Sequence, residues 1–162
     1  MISAEHLADS FARNIRILKM QTEGISHEES LIQLPFRANS LNWILGHLVT
    51  NRYHILKLLD AEYLIDPISV ERYERDSEPI TPDSSDALPL EQLMRLLEGT
   101  QSAIARRLGE IPDEGFQRRL AFFSNTEMTV GEWLLFFYFH DSYHTGQTEI
   151  MRQAAGKDDK II

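Results

Sequence analysis

The 162 residues carry a formal charge of −9, from 16 Lys and Arg against 25 Asp and Glu, and are 43% hydrophobic with no cysteine. Ordinary apolar content at this length excludes global disorder and predicts one globular domain over residues 1–162. The missing cysteine excludes a disulfide framework, a thiolate metal site and an internal Cys nucleophile.

The acidic balance argues against nucleic acid, whose phosphates are neutralised by Lys and Arg. Arg106-Arg107 and Arg118-Arg119 are the basic pairs, and both are read as solvated faces. No apolar run reaches the roughly 18 residues of a membrane span. The opening Met-Ile-Ser-Ala-Glu-His lacks the charged start and apolar core of a signal peptide. The expected location is the cytoplasm.

Four stretches show the 3.6-residue apolar period of amphipathic helices. The first runs from Ser3, its N-cap, to Gln21, with Leu7, Phe11, Asn14 and Leu18 on one stripe and Gly24 as its stop. The link Ser26 to Arg37 has room for one short helical turn before Pro35. The second helix opens at Asn39 or Ser40 and runs to about Ala61, with Ile44, His47, Leu48, Asn51, Ile55 and Leu58 facing inward. Glu62 to Leu88 holds Pro67, Pro79 and Pro82 and reads as a long crossover, with an ordered turn near Val70 to Tyr73.

A third helix starts at Pro89 as its first residue, carries Leu93, Leu97, Thr100, Ile104 and Leu108, and ends by Pro112. Asp113 to Met128 reads as irregular, with an extended piece at Leu120 to Phe123. The fourth helix begins at the capping box Thr129-Val130-Gly131-Glu132 and runs to about Ala155, with Gly156 as its stop. The expected fold is all-α, a four-helix bundle with a long crossover between its second and third helices. The rival is an irregular helical fold with a short hairpin.

The chemistry lies in the histidines. The inward stripe of the fourth helix is Trp133, Phe137, His140, His144, Gln147 and Met151. His140 and His144 are one turn apart, about 5–6 Å at Cβ, and can share one ion. His47 lies on the inward stripe of the second helix. Helices packed at about 8–10 Å would let all three imidazoles converge.

Three His ligands with an open fourth position describe a catalytic zinc site; imidazole also suits nickel, copper and iron. Gln147 and Asn51 lie on the right faces to hold a ligand's other ring nitrogen or to face a substrate. The plainer alternative is a set of satisfied core histidines, although three unpaired buried imidazoles are costly. His54 lies on nearly the face of His47 and is either a substitute ligand or at the bundle mouth; the surface is the favoured place. His6 and His27 are read as solvated.

His140-Asp141-Ser142-Tyr143-His144 resembles the zincin H-E-x-x-H, but an Asp replaces the general base and no downstream third ligand follows. The di-iron pattern needs Glu three residues before His, which neither His140, His144 nor His47 has. Asp141 is about 100° round the helix from His140 and is read as solvated.

The string Trp43-Ile44-Leu45-Gly46-His47-Leu48 is similar to the Trp-x-x-Gly-His-Leu signature of the DinB-like superfamily, and His140 to Gln147 looks like its closing His-x-x-x-His-x-Gly-Gln helix. The resemblance covers nearly the whole chain. It implies an up-down-down-up bundle and a divalent metal, zinc or nickel, on His47, His140 and His144. It also implies a homodimer acting on a small-molecule substrate. Relatives include transferases and isomerases that use a low-molecular-weight thiol such as bacillithiol or mycothiol, and others regarded as metal-dependent hydrolases. In the first case the metal lowers the pKa of the external thiol; in the second it activates water, with Asp141, Tyr143 or a loop carboxylate as candidate bases. A metal-binding or interaction module without turnover is the third reading.

Overall fold

The structure is a computed structural model that describes residues 3–62, 70–123 and 125–161. It is mostly helical: α1 (Ala4–Thr22), α2 (His27–Ser30), α3 (Leu41–Leu58), α4 (Leu90–Glu110), α5 (Asp113–Gln117) and α6 (Val130–Ala154), with strands β1 (Arg119–Ala121) and β2 (Glu127–Thr129) before α6.

Local chemistry sets the helix ends. Ser3, Ser40 and Thr129 cap α1, α3 and α6 by accepting from the backbone N–H three residues on. Thr129 and Glu132 form the expected capping box, and Ser26 and Glu29 form a second one that starts the four-residue α2. Gly24 and Gly156 follow α1 and α6 at φ of +72° and +77°, a conformation free of Cβ cost only in glycine. Pro89 stands one position earlier than expected, as the N-cap of α4.

Two expectations need correction. The second long helix ends at Leu58 rather than Ala61, and Asp60 turns the chain at φ +51°. The basic pairs help to finish that end: Arg107 donates to the Leu59 carbonyl at 2.8 and 3.1 Å, and Arg118 reaches the Leu58 carbonyl at 3.4 Å. Cations on the last carbonyls of a helix satisfy orphan acceptors and oppose its dipole. These two arginines are therefore structural rather than merely solvated.

The segment Asp113 to Met128 is also more ordered than its sequence implies. It holds α5 and a hairpin in antiparallel register, Arg119 with Thr129 and Ala121 with Glu127. The extended piece lies one residue earlier than expected and stops at Ala121. Three-residue strands are too short for apolar alternation to reveal them. The Trp133 indole donates to the Leu120 carbonyl at 3.1 Å and ties the hairpin to α6.

α1 and α3 each pack against both α4 and α6. The core fills in two zones. One is centred on Leu18, Leu45, Leu48 and Leu97, the other on Phe11, Ile55, Ile104 and Phe137. The predicted stripes of α1, α3 and α4 are buried throughout.

A buried polar network lies between the four long helices. Arg52 of α3 and Asp141 of α6, 0% and 1% exposed, pair at 2.7 Å. Arg52 also donates to Gln101 Oε1 of α4 at 3.0 Å and to the Phe11 carbonyl of α1 at 3.3 Å. Asn14 of α1 donates to Ser142 Oγ at 3.0 Å and lies 3.4 Å from Asp141. Asp141 therefore faces the core, not solvent.

Of the long crossover, residues 63–69, which include Pro67, lie outside the described residues. The expected turn is present: the Tyr73 N–H donates to the Val70 carbonyl at 3.0 Å. From Val70 to Leu88 the crossover is bound to α3. Thr50 Oγ1 donates to the Val70 carbonyl, Trp43 Nε1 to Ser77 Oγ, and Asn42 to the Leu88 carbonyl, at 2.9–3.1 Å. No described helix is long and apolar enough to cross a membrane.

Candidate metal centre

The chain forms its site where the middle of α3 meets the middle of α6. His47 is buried, and His140 and His144 are half-buried. Their ring centroids lie 4.5 to 5.1 Å apart. One ligand atom from each imidazole can be chosen so that all three lie within 4.8 Å of one another. His47 Nε2 and His140 Nε2 are 3.3 Å apart. The helical spacing thus delivers the convergence it predicts. The pair sits at the edge of the buried stripe of α6, which includes Phe137, Asp141, Thr145 and Thr148. That placement lets His140 line a cavity together with His47.

Gly46 makes the His47 side of the site possible. A Cβ at Gly46 would lie 2.0 Å from the Tyr73 ring. Without one, the ring packs flat on α3, and its hydroxyl donates to Asn42 Oδ1 at 3.0 Å and accepts from the Leu88 N–H at 2.7 Å. The Tyr73 carbonyl then meets His47 Nδ1 at 2.8 Å. A carbonyl only accepts, so Nδ1 carries the proton and Nε2 presents its lone pair to the site. Gln147 Oε1 does the same for His144, accepting from Nδ1 at 2.7 Å.

Gln147 thus holds Nδ1 of His144. Asn51 lines the cavity beside His47 and His140, and its amide donates to the His47 carbonyl at 2.8 Å and lies 3.3 Å from His47 Nε2. The group that does hold His47, the Tyr73 backbone carbonyl, has no residue-type signature in a sequence. His140 Nδ1 is buried with no hydrogen-bond partner among the described residues.

The imidazoles are held neutral. Burial, with smaller contributions from His144 and His47, pushes His140 down to about 3. Burial and the nearby His47 push His144 down to about 4. Burial also lowers His47, partly opposed by the Tyr73 carbonyl. Neutral imidazole is the metal-binding form, so no proton has to leave at neutral pH.

Two cavities lie near the triad, and the smaller is lined by two of its histidines. One of about 460 Å³ is lined by His47, Asn51, His54, His140 and the rings of Phe123, Trp133 and Phe136. The other, of about 840 Å³, is more polar and lies beyond Trp43 and Gln147, with Arg37 and Arg75 at its walls. Trp43 lines the larger one and is stacked on His47 at 4.6 Å between centroids and 16° between planes. His54 is half-buried rather than at the surface, lining the smaller cavity with its Nε2 3.3 Å from Glu74. It is not among the three converging ligands. His6 is exposed as expected; His27 is half-buried, its Nδ1 enclosed and unpartnered.

The family model of the DinB superfamily matches residues 10–148. The chain belongs to the DinB superfamily. Two solved structures share its fold. A conserved protein from Enterococcus faecalis is 15% identical at a TM-score of 0.74, over 96% of this chain and 98% of that one. A DinB-like protein from Bacillus cereus is 17% identical at a TM-score of 0.68, over 94% of this chain and 92% of that one. No curated protein matches the sequence. At these identities the solved structures speak to the fold of this DinB-superfamily chain alone. The site rests on its own geometry, a three-histidine cluster compatible with a metal ion.

Proposed function

We propose that the chain is a metal-dependent enzyme in which His47, His140 and His144 hold one divalent ion, zinc or nickel. The reaction we assign is transfer of an external low-molecular-weight thiol to a small electrophilic substrate. The observation that carries the metal reading is the convergence of three neutral imidazoles with two Nδ1 atoms fixed from behind. Two imidazoles on one tetrahedral zinc, at roughly 2.0–2.1 Å each, stand about 3.3 Å apart. The His47 and His140 Nε2 atoms are 3.3 Å apart.

A bound divalent ion supplies positive charge that favours the ionised form of a thiol or of water. The rest falls to the chain's own groups. The Tyr73 carbonyl and the Gln147 amide aim two imidazoles. Trp43, flat against His47, shields one side of the site from water. Asp141, the acid nearest the triad in sequence, is committed to Arg52 in the core, and Tyr143 is exposed. Asp141 is therefore no base toward the triad, whereas the Tyr143 ring lies 5.2 Å from that of His144 and its hydroxyl 3.4 Å from Gln147 Nε2. A thiol, which ionises more readily than water, suits such a site better. For hydrolysis the loop carboxylate Glu74, which lines the cavity shared with His47 and His140, is the candidate base.

The helix order we propose is the up-down-down-up bundle. In support, contacts between α1 and α6 advance together, from Asn14 with Ser142 to the Gln21 carbonyl with Arg152. Those between α1 and α4 run oppositely, from the Ala8 carbonyl with Gln101 to Lys19 with Glu98. A homodimer accords with the apolar residues that α6 exposes, Leu135, Phe139, Tyr143 and Ile150. A cytoplasmic setting accords with the reduced thiol.

The test is thiol consumption. Metal-loaded protein is given bacillithiol with chlorodinitrobenzene, alongside metal-free protein and His140→Ala. The expected result is one thiol consumed per product, only in the loaded wild type. Turnover of ester or amide substrates without thiol would move the assignment to a hydrolase. Bound metal with neither activity would leave a binding module.

A further inference from the structure

The smaller cavity has two unlike ends. His47 and His140 form one, so it opens directly on the triad. Phe123, Trp133 and Phe136 form its walls, with Phe123 5.9 Å from Trp133 and Phe136 at 5.9 Å from Trp133 in perpendicular contacts. Phe123 and Phe136 are 49% and 44% exposed, a degree of solvent contact that core aromatics do not show. Rings that keep open faces around a concave space bind flat apolar surface. His54 and Glu74 supply the polar end, and the His54 ring stands edge-on to Phe123 at 4.9 Å. At about 460 Å³ the cavity holds a one- or two-ring molecule.

We infer that this cavity is the binding site of an aromatic substrate that carries one hydrogen-bonding substituent, its rings among Phe123, Trp133 and Phe136 and its substituent on the His54–Glu74 pair. As the electrophile's seat the cavity rests on the proposed thiol transfer, whereas binding itself uses no metal. The more polar cavity beyond Trp43 is left for the second reactant. His54, seven residues after His47 on the same face of α3, is a specificity residue here and not a ligand of the ion.

The test is calorimetric titration of metal-free and metal-loaded protein with β-naphthol and with its methyl ether, which cannot donate a hydrogen bond. One β-naphthol per chain is expected in both forms. Phe136→Ser and Phe123→Ser, at half-exposed positions and with folding checked by melting curves, should each weaken it about tenfold. His54→Leu should weaken β-naphthol about tenfold and leave the ether unchanged. No binding by either protein form, or binding indifferent to both Phe variants, overturns the inference. Equal effects of His54→Leu on both probes overturn the hydrogen-bonding role. A chain that takes up no metal yet binds β-naphthol in this pattern would sink the enzyme reading and keep the aromatic site.

Discussion

Breaking the Arg52–Asp141 pair is the sharpest test of how the helices are held around the site. Both side chains are at most 1% exposed, and their 2.7 Å contact joins α3 to α6. Removing one partner of a buried pair leaves the other charge without compensation and costs about 3–5 kcal/mol. Arg52→Met should lie at the upper end, because it also strips donors from Gln101 and the Phe11 carbonyl. Asp141→Leu leaves the guanidinium those two acceptors and should lie at the lower end. At about 2–4 °C per kcal/mol for a chain of this size, the melting temperature falls by roughly 6–20 °C. The double variant replaces the pair with apolar groups and should recover most of the loss. Urea denaturation of metal-free protein reads all four corners of the cycle. Single variants within about 1 kcal/mol of wild type, or a double variant as unstable as the sum of both, would refute the reasoning.

The same geometry sets other outcomes. Gly46→Ala should cost about 1–3 kcal/mol, as overpacking does, and weaken metal binding because the Tyr73 ring must leave α3; unchanged affinity by competition with a chelator would show that Tyr73 does not orient His47. Gln147→Leu should lower metal affinity about 10- to 100-fold with the urea midpoint nearly unchanged. An equal affinity would remove Gln147 from the site. For pH, His140 and His144 lie at about 3 and about 4 when folded, below their ordinary value. The unfolded chain therefore binds more protons in this window, and stability is full above about pH 6.5 and falls with acidification toward pH 4. After discounting for partial exposure the slope is about 1 kcal/mol per pH unit. His140→Ala in metal-free protein should flatten it, and a slope unchanged in that variant would contradict the assignment.

The helices were legible because their stripes and caps are local. Ser3, Ser40 and the Thr129–Glu132 box mark three starts, and the period in α3 puts His47 among its buried residues. The triad was legible for the same reason, since the i, i+4 pair on α6 and the inward His47 need only that two helices meet. Asp141 was not. Its angle from His140 suggested solvent, yet Arg52, an equally unremarkable polar residue in a sequence, waits on another helix to pair with it. Long-range partners of that kind leave no periodic trace. The Tyr73 carbonyl is invisible for a different reason, as a backbone atom orients His47, and only the need for a bare Gly46 hints at the close approach. The hairpin of three-residue strands is shorter than the period that would reveal it.

Metal content tests the central claim most directly. Tag-free protein, His140→Ala and His144→Ala are measured by inductively coupled plasma mass spectrometry, with melting curves before and after chelation. About one divalent ion per chain in the wild type, absent from both variants, is the predicted result, together with a fall in melting temperature on chelation. No bound ion, with chelated and metal-supplemented proteins melting at the same temperature, would contradict it and leave His47, His140 and His144 as a neutral cluster between two helices.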